Sequence, residues 1–162
     1  MFVWTPDATD LIYLRSGDVW RVSFANGDGE RLTESGGDKS NLAVSPDGRY
    51  ASFLQDGDLW LFHLGTNALT RATEVSVPSI SSVPLGRYNR PDVEIGPYVW
   101  GGPTYAWSPD SRTIAVHYVD RRNMRTVPFP DYLGKETIVN NLRRGYPGDQ
   151  NEHRTIGFYG VE

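Results

Sequence analysis

The chain has 162 residues, a formal net charge of −4 and a pI near 5.4, a balance that disfavours nucleic acids and anionic membranes as partners. It contains no cysteine, which excludes disulfide bonds and thiol chemistry but leaves the cellular compartment open. No apolar run approaches the roughly 20 residues needed to cross a bilayer, and residues 1–4 lack the features of a signal peptide, so any leader would lie outside this sequence.

The first 34 residues are predicted to form four short strands separated by tight turns. Residues 3–4 end an inner strand, residues 11–14 and 19–24 form the next two strands, and residues 30–33 form an outer strand. The turn at residues 26–30 is weakly similar to a calcium loop, but the twelfth position is Gly37 instead of glutamate, so we predict a plain turn.

Residues 38–74 repeat this arrangement. Ser45-Pro46-Asp47-Gly48 fits a type I turn, and the predicted strands cover residues 41–44, 49–54, 58–64 and 68–72. An offset of 40 positions aligns this segment with the first one without a gap, and it pairs Pro46 with Pro6, Asp58 with Asp18, Trp60 with Trp20, Arg71 with Arg31, Thr73 with Thr33 and Glu74 with Glu34. Because Trp20 and Trp60 fall in the middle of equivalent strands, we expect them to pack between repeats.

A third copy begins at Trp107-Ser108-Pro109-Asp110, after a connection over residues 75–103 in which residues 75–80 are a possible strand. Its strands are predicted at residues 104–107 and 113–118. A second long insertion, residues 120–153, precedes a further strand at residues 155–161, and the outer strand of this copy is missing.

A period of about 40 residues with several short strands per repeat is typical of β-propeller blades. We therefore predict an all-β fold, a partial β-propeller of about two and a half four-stranded blades with two long insertions. The expected boundaries are blade one 1–34, blade two 38–74, connection 75–103, and blade three 104–162 with its insertion at 120–153.

The residues alone offer few candidates for chemistry. The three histidines, His63, His117 and His153, show no metal-ligand spacing, so we expect no metal and no cofactor. Ordinary packing or surface roles are favoured for His63 and His117. Two small basic clusters are interpreted first as solvated loop charge, with contact to a partner domain or a peptide carboxylate as the alternative; they comprise Arg121, Arg122 and Arg125, and Arg143 and Arg144.

Two acids in a polar stretch, Asp92 and Glu94, have two interpretations. Solvated surface acids are the simpler one. The functional alternative is that they bind the ammonium group of a substrate, which two carboxylates would do through charge-assisted hydrogen bonds.

The chain resembles the N-terminal propeller of the dipeptidyl peptidase IV branch of the prolyl oligopeptidase serine peptidases. The resemblance is carried by the Trp107-Ser108-Pro109 blade start, the long insertion inside a blade, and Tyr146-Pro147-Gly148-Asp149-Gln150-Asn151 followed by the strand at residues 155–161. This segment is similar to that family's Tyr-Pro-(Lys/Arg)-Ala-Gly-x-x-Asn-Pro stretch. The resemblance covers essentially the whole chain.

The resemblance implies a non-catalytic propeller segment that covers the active site of an α/β-hydrolase domain lying outside this sequence and positions short peptides for it. It also implies a periplasmic or secreted location, although a cytoplasmic one is not excluded. The family holds the substrate ammonium with an adjacent glutamate pair, whereas this chain has the separated Asp92 and Glu94, so dipeptide-releasing specificity stays open. Asp92 and Glu94 are nevertheless the predicted substrate-binding residues.

Two further expectations concern alternatives and partners. The repeat turns are shared with TolB-like propellers, so a protein-interaction scaffold without a peptidase is the alternative function. Because the end blades would have open faces and residues 155–161 an unpaired edge, we expect a homo-oligomer or association with the remainder of a parent chain.

The sequence predicts that this chain alone has no peptidase activity. It contains no Gly-x-Ser-x-Gly motif, so no serine is presented on the strained turn that exposes a nucleophile, and we predict no catalytic residue in it. The purified chain should release no more product from chromogenic dipeptidyl substrates than buffer does. Turnover that persists through purification to homogeneity would contradict this.

Overall fold

The computed structural model describes residues 1–80, 90–96 and 103–161, and these residues form fourteen β-strands. The strands lie in four antiparallel sheets. No helix in the described ranges is long and apolar enough to cross a membrane. The prediction of an all-β fold is confirmed.

The first two sheets are four-stranded meanders, named blade one and blade two. Blade one comprises β1 (Phe2–Trp4), β2 (Asp10–Arg15), β3 (Asp18–Ser23) and β4 (Gly29–Arg31). Blade two comprises β5 (Lys39–Val44), β6 (Tyr50–Gln55), β7 (Asp58–His63) and β8 (Ala68–Arg71). The two blades share their strand register. Val3 pairs with Ile12 in blade one, and Ala43 pairs with Ser52 in blade two, so both members of the pair are shifted by the 40 positions of the sequence repeat.

The third sheet, blade three, is built differently. It comprises β9 (Val93–Ile95), β10 (Tyr105–Trp107), β11 (Thr113–Asp120) and β14 (His153–Gly160), with β9 and β10 pairing successively along one edge of β11 and β14 along the other. Between β11 and β14, the insertion forms a separate hairpin of β12 (Thr126–Asp131) and β13 (Ile138–Arg143). Within the described residues, β14 pairs with β11 alone.

Most predicted strands lie within two residues of their predicted bounds, but the possible strand over residues 75–80 does not form. Only Val77 pairs, through an isolated bridge to Val93. Pro78 follows directly and has no N–H to continue a ladder.

The Ser-Pro-Asp turns share one hydrogen-bond arrangement that explains why the sequence repeats there. The Ser45 hydroxyl donates to Asp47 at 2.7 Å and accepts the N–H of Tyr50 at 2.9 Å, and Ser108 does the same with Asp110 and Thr113. Burial alone would raise the pKa of Asp47, but the hydrogen bonds from Ser45 and Arg49 outweigh it and lower the pKa to about 2.

Two hydrophobic clusters hold the three blades side by side. One joins blade one to blade two, through Ile12 and Val19 on one side and Phe53 and Phe62 on the other. The second joins blade two to blade three and contains Leu54, Leu59, Leu61, Ile95, Ile114 and Val116. Blade two is therefore the middle layer, and successive residues of its strands point alternately into the two clusters.

A buried aspartate anchors the outer strand of blades one and two. Asp58, fully buried at the start of β7, lies 2.5 Å from the Arg71 guanidinium and accepts hydrogen bonds from Thr73 Oγ1 at 2.7 Å and from the N–H of Val75 at 2.8 Å. In blade one, Asp18 makes the equivalent contacts with Arg31 at 2.6 Å and Thr33 at 2.9 Å. The aligned Asp, Arg and Thr positions of the sequence are thus one structural unit.

Replacing Asp58 by asparagine should lower the free energy of unfolding by about 3 kcal/mol, because it removes the charge that Arg71, Thr73 and two backbone N–H groups surround. Chemical denaturation would measure the change. Asp38→Asn, at an exposed position before β5, is the matched control and should be nearly neutral. Equal stability of the two variants would contradict the anchoring role of Asp58.

Candidate functional site

Both predicted substrate-binding acids are buried instead of solvated. Asp92 is 2% exposed and directly precedes β9, and Glu94 is 8% exposed and lies within β9, opposite Val119 of β11. Their interpretation as solvated surface acids in a loop is wrong, because a strand and the insertion enclose them. The predicted loop continued beyond them, but residues 97–102 lie outside the described residues.

Two arginines neutralise these acids. Arg143 Nη2, at the end of β13, lies 2.8 Å from Asp92 Oδ2, and Arg121 Nη1, just after β11, lies 2.8 Å from Glu94 Oε1. By distance, the contact of Arg121 with Glu94 is an ion pair. The two groups are not oriented for a hydrogen bond, so Glu94 Oε1 accepts none. Arg121 instead directs hydrogen bonds to the Pro91 carbonyl at 2.9 Å and to Glu152 at 3.0 Å.

Glu152 extends this network to the start of β14. It contacts Arg121 and Arg154, and burial, which would raise its pKa, is outweighed by these two arginines, so the pKa of Glu152 lies below its ordinary value. Three carboxylates and three guanidinium groups thus form one cluster that joins β9, β11, the insertion and β14. Buried charges of this kind are tolerated only when they are paired.

The basic clusters of the insertion therefore divide into buried and surface members. Arg121 is 8% exposed, and Arg143 donates to the carbonyls of Arg122 and Met124, so solvated loop charge is the wrong interpretation for these two. Arg122 and Arg125 are exposed and pair with Asp120 and Asp149. The alternative of contact with a partner domain or peptide carboxylate stays a prediction.

Glu94 also lines a cavity of about 230 Å³ where blade two meets β9. We call this cavity the acidic pocket; its polar lining consists of Asp38, Ser40, Asn41, Gln55, Asp56 and Glu94. Asp38 and Asp56 are exposed, and the lining residues contain no basic side chain. The pocket therefore favours a small cation with N–H donors.

A glycine fixes the wall of this pocket. Gly57 has φ +82° in the turn between β6 and β7, and its carbonyl accepts the N–H of Ile95 at 2.7 Å. A Cβ at this position would lie 2.9 Å from Ser76 Oγ and 3.1 Å from Glu94 Cβ. Only glycine fits both the positive φ and the close approach of blade two to β9.

The histidines have structural partners, as predicted for His63 and His117. His63 Nδ1 accepts the N–H groups of Gly65 and Thr66 at 3.1 Å and so orders the turn after β7. His117 is 8% exposed, and its Nδ1 lies 3.0 Å from the Gly96 carbonyl, to which it donates when that nitrogen is protonated. In the described residues, no group of three His, Cys, Asp or Glu side chains could hold a metal ion.

Replacing Arg143 by methionine should loosen the β12–β13 hairpin, because the hairpin would lose its bonds to Asp92 and to the carbonyls of Arg122 and Met124. Leaving Asp92 buried without its partner should also cost about 3 kcal/mol of stability. Limited proteolysis of the folded protein should show faster cleavage within the insertion. The neighbouring exposed Arg144→Met is the matched control; equal cleavage rates in both variants would contradict this role.

Comparison with known structures places the chain among propellers. The chain superimposes on dipeptidyl peptidase 4 from Porphyromonas gingivalis with a TM-score of 0.69 at 13% identity, over 98% of this chain and 24% of that one. For a protein assigned as a dipeptidyl aminopeptidase IV from Bacteroides ovatus, the TM-score is 0.55 at 15% identity, over 94% and 19% of the two chains. For TolB from Acinetobacter baumannii, it is 0.50 at 16% identity, over 88% and 31%.

No protein-family model matches the chain. The chain spans about a quarter of the length of the P. gingivalis enzyme and less than a third of each of the others. At these identities the likeness concerns the fold, and it confirms the resemblance to the dipeptidyl peptidase IV propeller at that level. The described residues are three neighbouring blades of a β-propeller.

Proposed function

We propose that this chain is the non-catalytic propeller segment of a dipeptidyl peptidase IV-like serine peptidase, which covers the active site and positions the N-terminus of short peptides. The observation that carries the proposal is the acidic pocket, with Glu94 among its lining residues, on a chain whose fold follows that of a dipeptidyl peptidase over nearly its whole length.

The chemistry of the pocket suits a peptide N-terminus. An α-ammonium group carries one positive charge and three N–H donors, and Asp38, Asp56 and Glu94 offer carboxylate oxygens around a small volume. Glu94 Oε1 is closed off from solvent against Arg121, so an ammonium group would bind the other carboxylate oxygen of Glu94, Oε2. Asp92 is committed to Arg143 and would act by holding β9 in place instead of by contacting the peptide.

In this proposal, a hydrolase domain outside this sequence supplies the nucleophile and general base. The protein would act in the periplasm or outside the cell, the location that the resemblance implies. The alternative is a TolB-like scaffold that binds proteins and lacks a peptidase, supported by the similarity in fold to TolB. A Gly-x-Ser-x-Gly motif in the reading frame after residue 162 would favour the peptidase.

In the full-length parent protein, Glu94→Gln should raise KM for peptides with a free N-terminus. One lost charge-assisted hydrogen bond is worth about 1.5–3 kcal/mol, so kcat/KM should fall roughly tenfold or more. Steady-state kinetics on matched peptides with free and N-acetylated termini would measure the effect.

The acetylated peptides are the internal control, since damage to the fold would slow both substrates whereas loss of the ammonium contact slows only the free one. Glu136→Gln, an exposed acid in the turn between β12 and β13, should leave both unchanged. Identical kinetics of wild type and Glu94→Gln would exclude Glu94 as an ammonium ligand.

A further inference from the structure

The β12–β13 hairpin and the acidic pocket meet at one short strand. β9 has three residues, and Asp92 and Glu94 stand on either side of its first residue, Val93. Because side chains alternate along an extended chain, Asp92 and Glu94 lie on the same side of it, about 7 Å apart. Asp92 is bound to the hairpin by Arg143, whereas Glu94 is a lining residue of the acidic pocket. The position of the hairpin is thus linked to the pocket across two residues.

Arg143 also reaches β9 by a second route, through the turn that follows β11. Its Nη1 donates to two carbonyls of that turn at 2.9 Å, and the Met124 N–H closes the turn by donating to the Arg121 carbonyl at 2.9 Å. Arg121 in turn donates its backbone N–H to the Asp92 carbonyl at 2.7 Å and places its guanidinium 2.8 Å from Glu94 Oε1. One hairpin side chain therefore holds both the strand that carries Glu94 and the arginine that pairs with it.

The main-chain contacts of β9 are brief. The strand pairs with β11 over three residues, forms an isolated bridge with Val77, and donates the Ile95 N–H to the Gly57 carbonyl of blade two at 2.7 Å. Strands usually have about five to six residues. In so short a strand, the ion pair at its beginning supplies a large share of what fixes its position.

We propose that the β12–β13 hairpin regulates cation binding at the acidic pocket, with Arg143 as the positioning residue that couples the two. While the hairpin is seated, β9 and Arg121 hold the Glu94 carboxylate in one position, so a ligand ammonium group meets an ordered acceptor. When the hairpin detaches, Asp92 loses its counter-charge, β9 is released at its beginning, and the ligand has to order Glu94 as it binds. The inference rests on the proposed function, since it concerns the pocket to which that function assigns the peptide N-terminus.

Steady-state kinetics of the full-length parent protein test the coupling. Arg143→Met should raise KM for peptides with a free N-terminus roughly fivefold or more relative to matched N-acetylated peptides, with little change in kcat. Asp92→Asn, which keeps the shape of the side chain and an acceptor oxygen for Arg143, is the milder variant and should act in the same direction. Arg144→Met, at an exposed position, is the matched control. Equal changes for free and acetylated peptides would report damage to the fold alone and would overturn the proposal.

A double-mutant cycle shows whether Arg143 acts through Glu94. In the Glu94→Gln background, Arg143→Met should cause no further change in the ratio of free to acetylated peptide, because the acceptor that it positions is already lost. Additive losses would overturn the coupling but leave the proposed function in place. If Glu94→Gln alone leaves the ratio unchanged, the proposed function fails and this inference fails with it.

The coupling must also be reciprocal, which gives a test without catalysis. If the seated hairpin strengthens cation binding, a bound cation strengthens the seating of the hairpin by the same factor. Alanine amide, at a concentration that saturates its inhibition of the full-length protein, should slow limited proteolysis within residues 125–144, and N-acetylalanine amide should not. Arg143→Met should abolish this protection. Identical cleavage rates with the two amides in the wild type would overturn the proposal.

Discussion

The outer strands of blades one and two depend on a single buried carboxylate each. The side chains of β4 and β8 are all exposed, so hydrophobic burial contributes little to their position. Asp18 and Asp58 supply what burial does not, because each accepts bonds from an arginine and a threonine on the segment that ends the outer strand. In blade three, the position equivalent to Asp58 is Thr155. Asp58 pairs with Gln55 in blade two, and Thr155 pairs with Tyr118, the counterpart of Gln55, in blade three.

The same principle explains the insertion, where burial of charge replaces burial of apolar surface. The β12–β13 hairpin exposes most of its large hydrophobic side chains, including Phe129, Ile138 and Val139, and its base is tied to β9 by Arg143 and Asp92. A buried ion pair gives little net stability relative to apolar packing, but removing one of its two partners is costly because the other charge stays buried without a counter-charge. The network therefore specifies where the hairpin attaches more than it stabilises the fold.

Sequence reasoning predicted the features that repeat, and it failed where the chemistry is made by distant segments. The turns, the strand periodicity and the aligned Asp, Arg and Thr positions recur at a fixed offset, so β2, β3, β6 and β7 could be placed within two residues. The burial of Asp92 could not be inferred, because its partner Arg143 is 51 positions away in an insertion that no other blade contains. The residues around Glu94 carry no local pattern that distinguishes a β-strand from a polar loop, and its pairing with β11 is visible only in the structure.

The charged groups at the acidic pocket are of two kinds, those that are buried in ion pairs and those that are exposed to solvent. Asp92, Glu94 and Glu152 are balanced by Arg121, Arg143 and Arg154, so the buried cluster carries no net charge. The excess negative charge of the pocket comes from Asp38 and Asp56, which are exposed and screened by solvent and therefore act mainly by attracting a cation. Glu94 contributes differently, since its carboxylate is buried and held in place by Arg121. A fixed acceptor avoids the entropic cost of ordering a side chain on binding. Arg121 thus lowers the net charge of the site and also fixes the position of the Glu94 carboxylate.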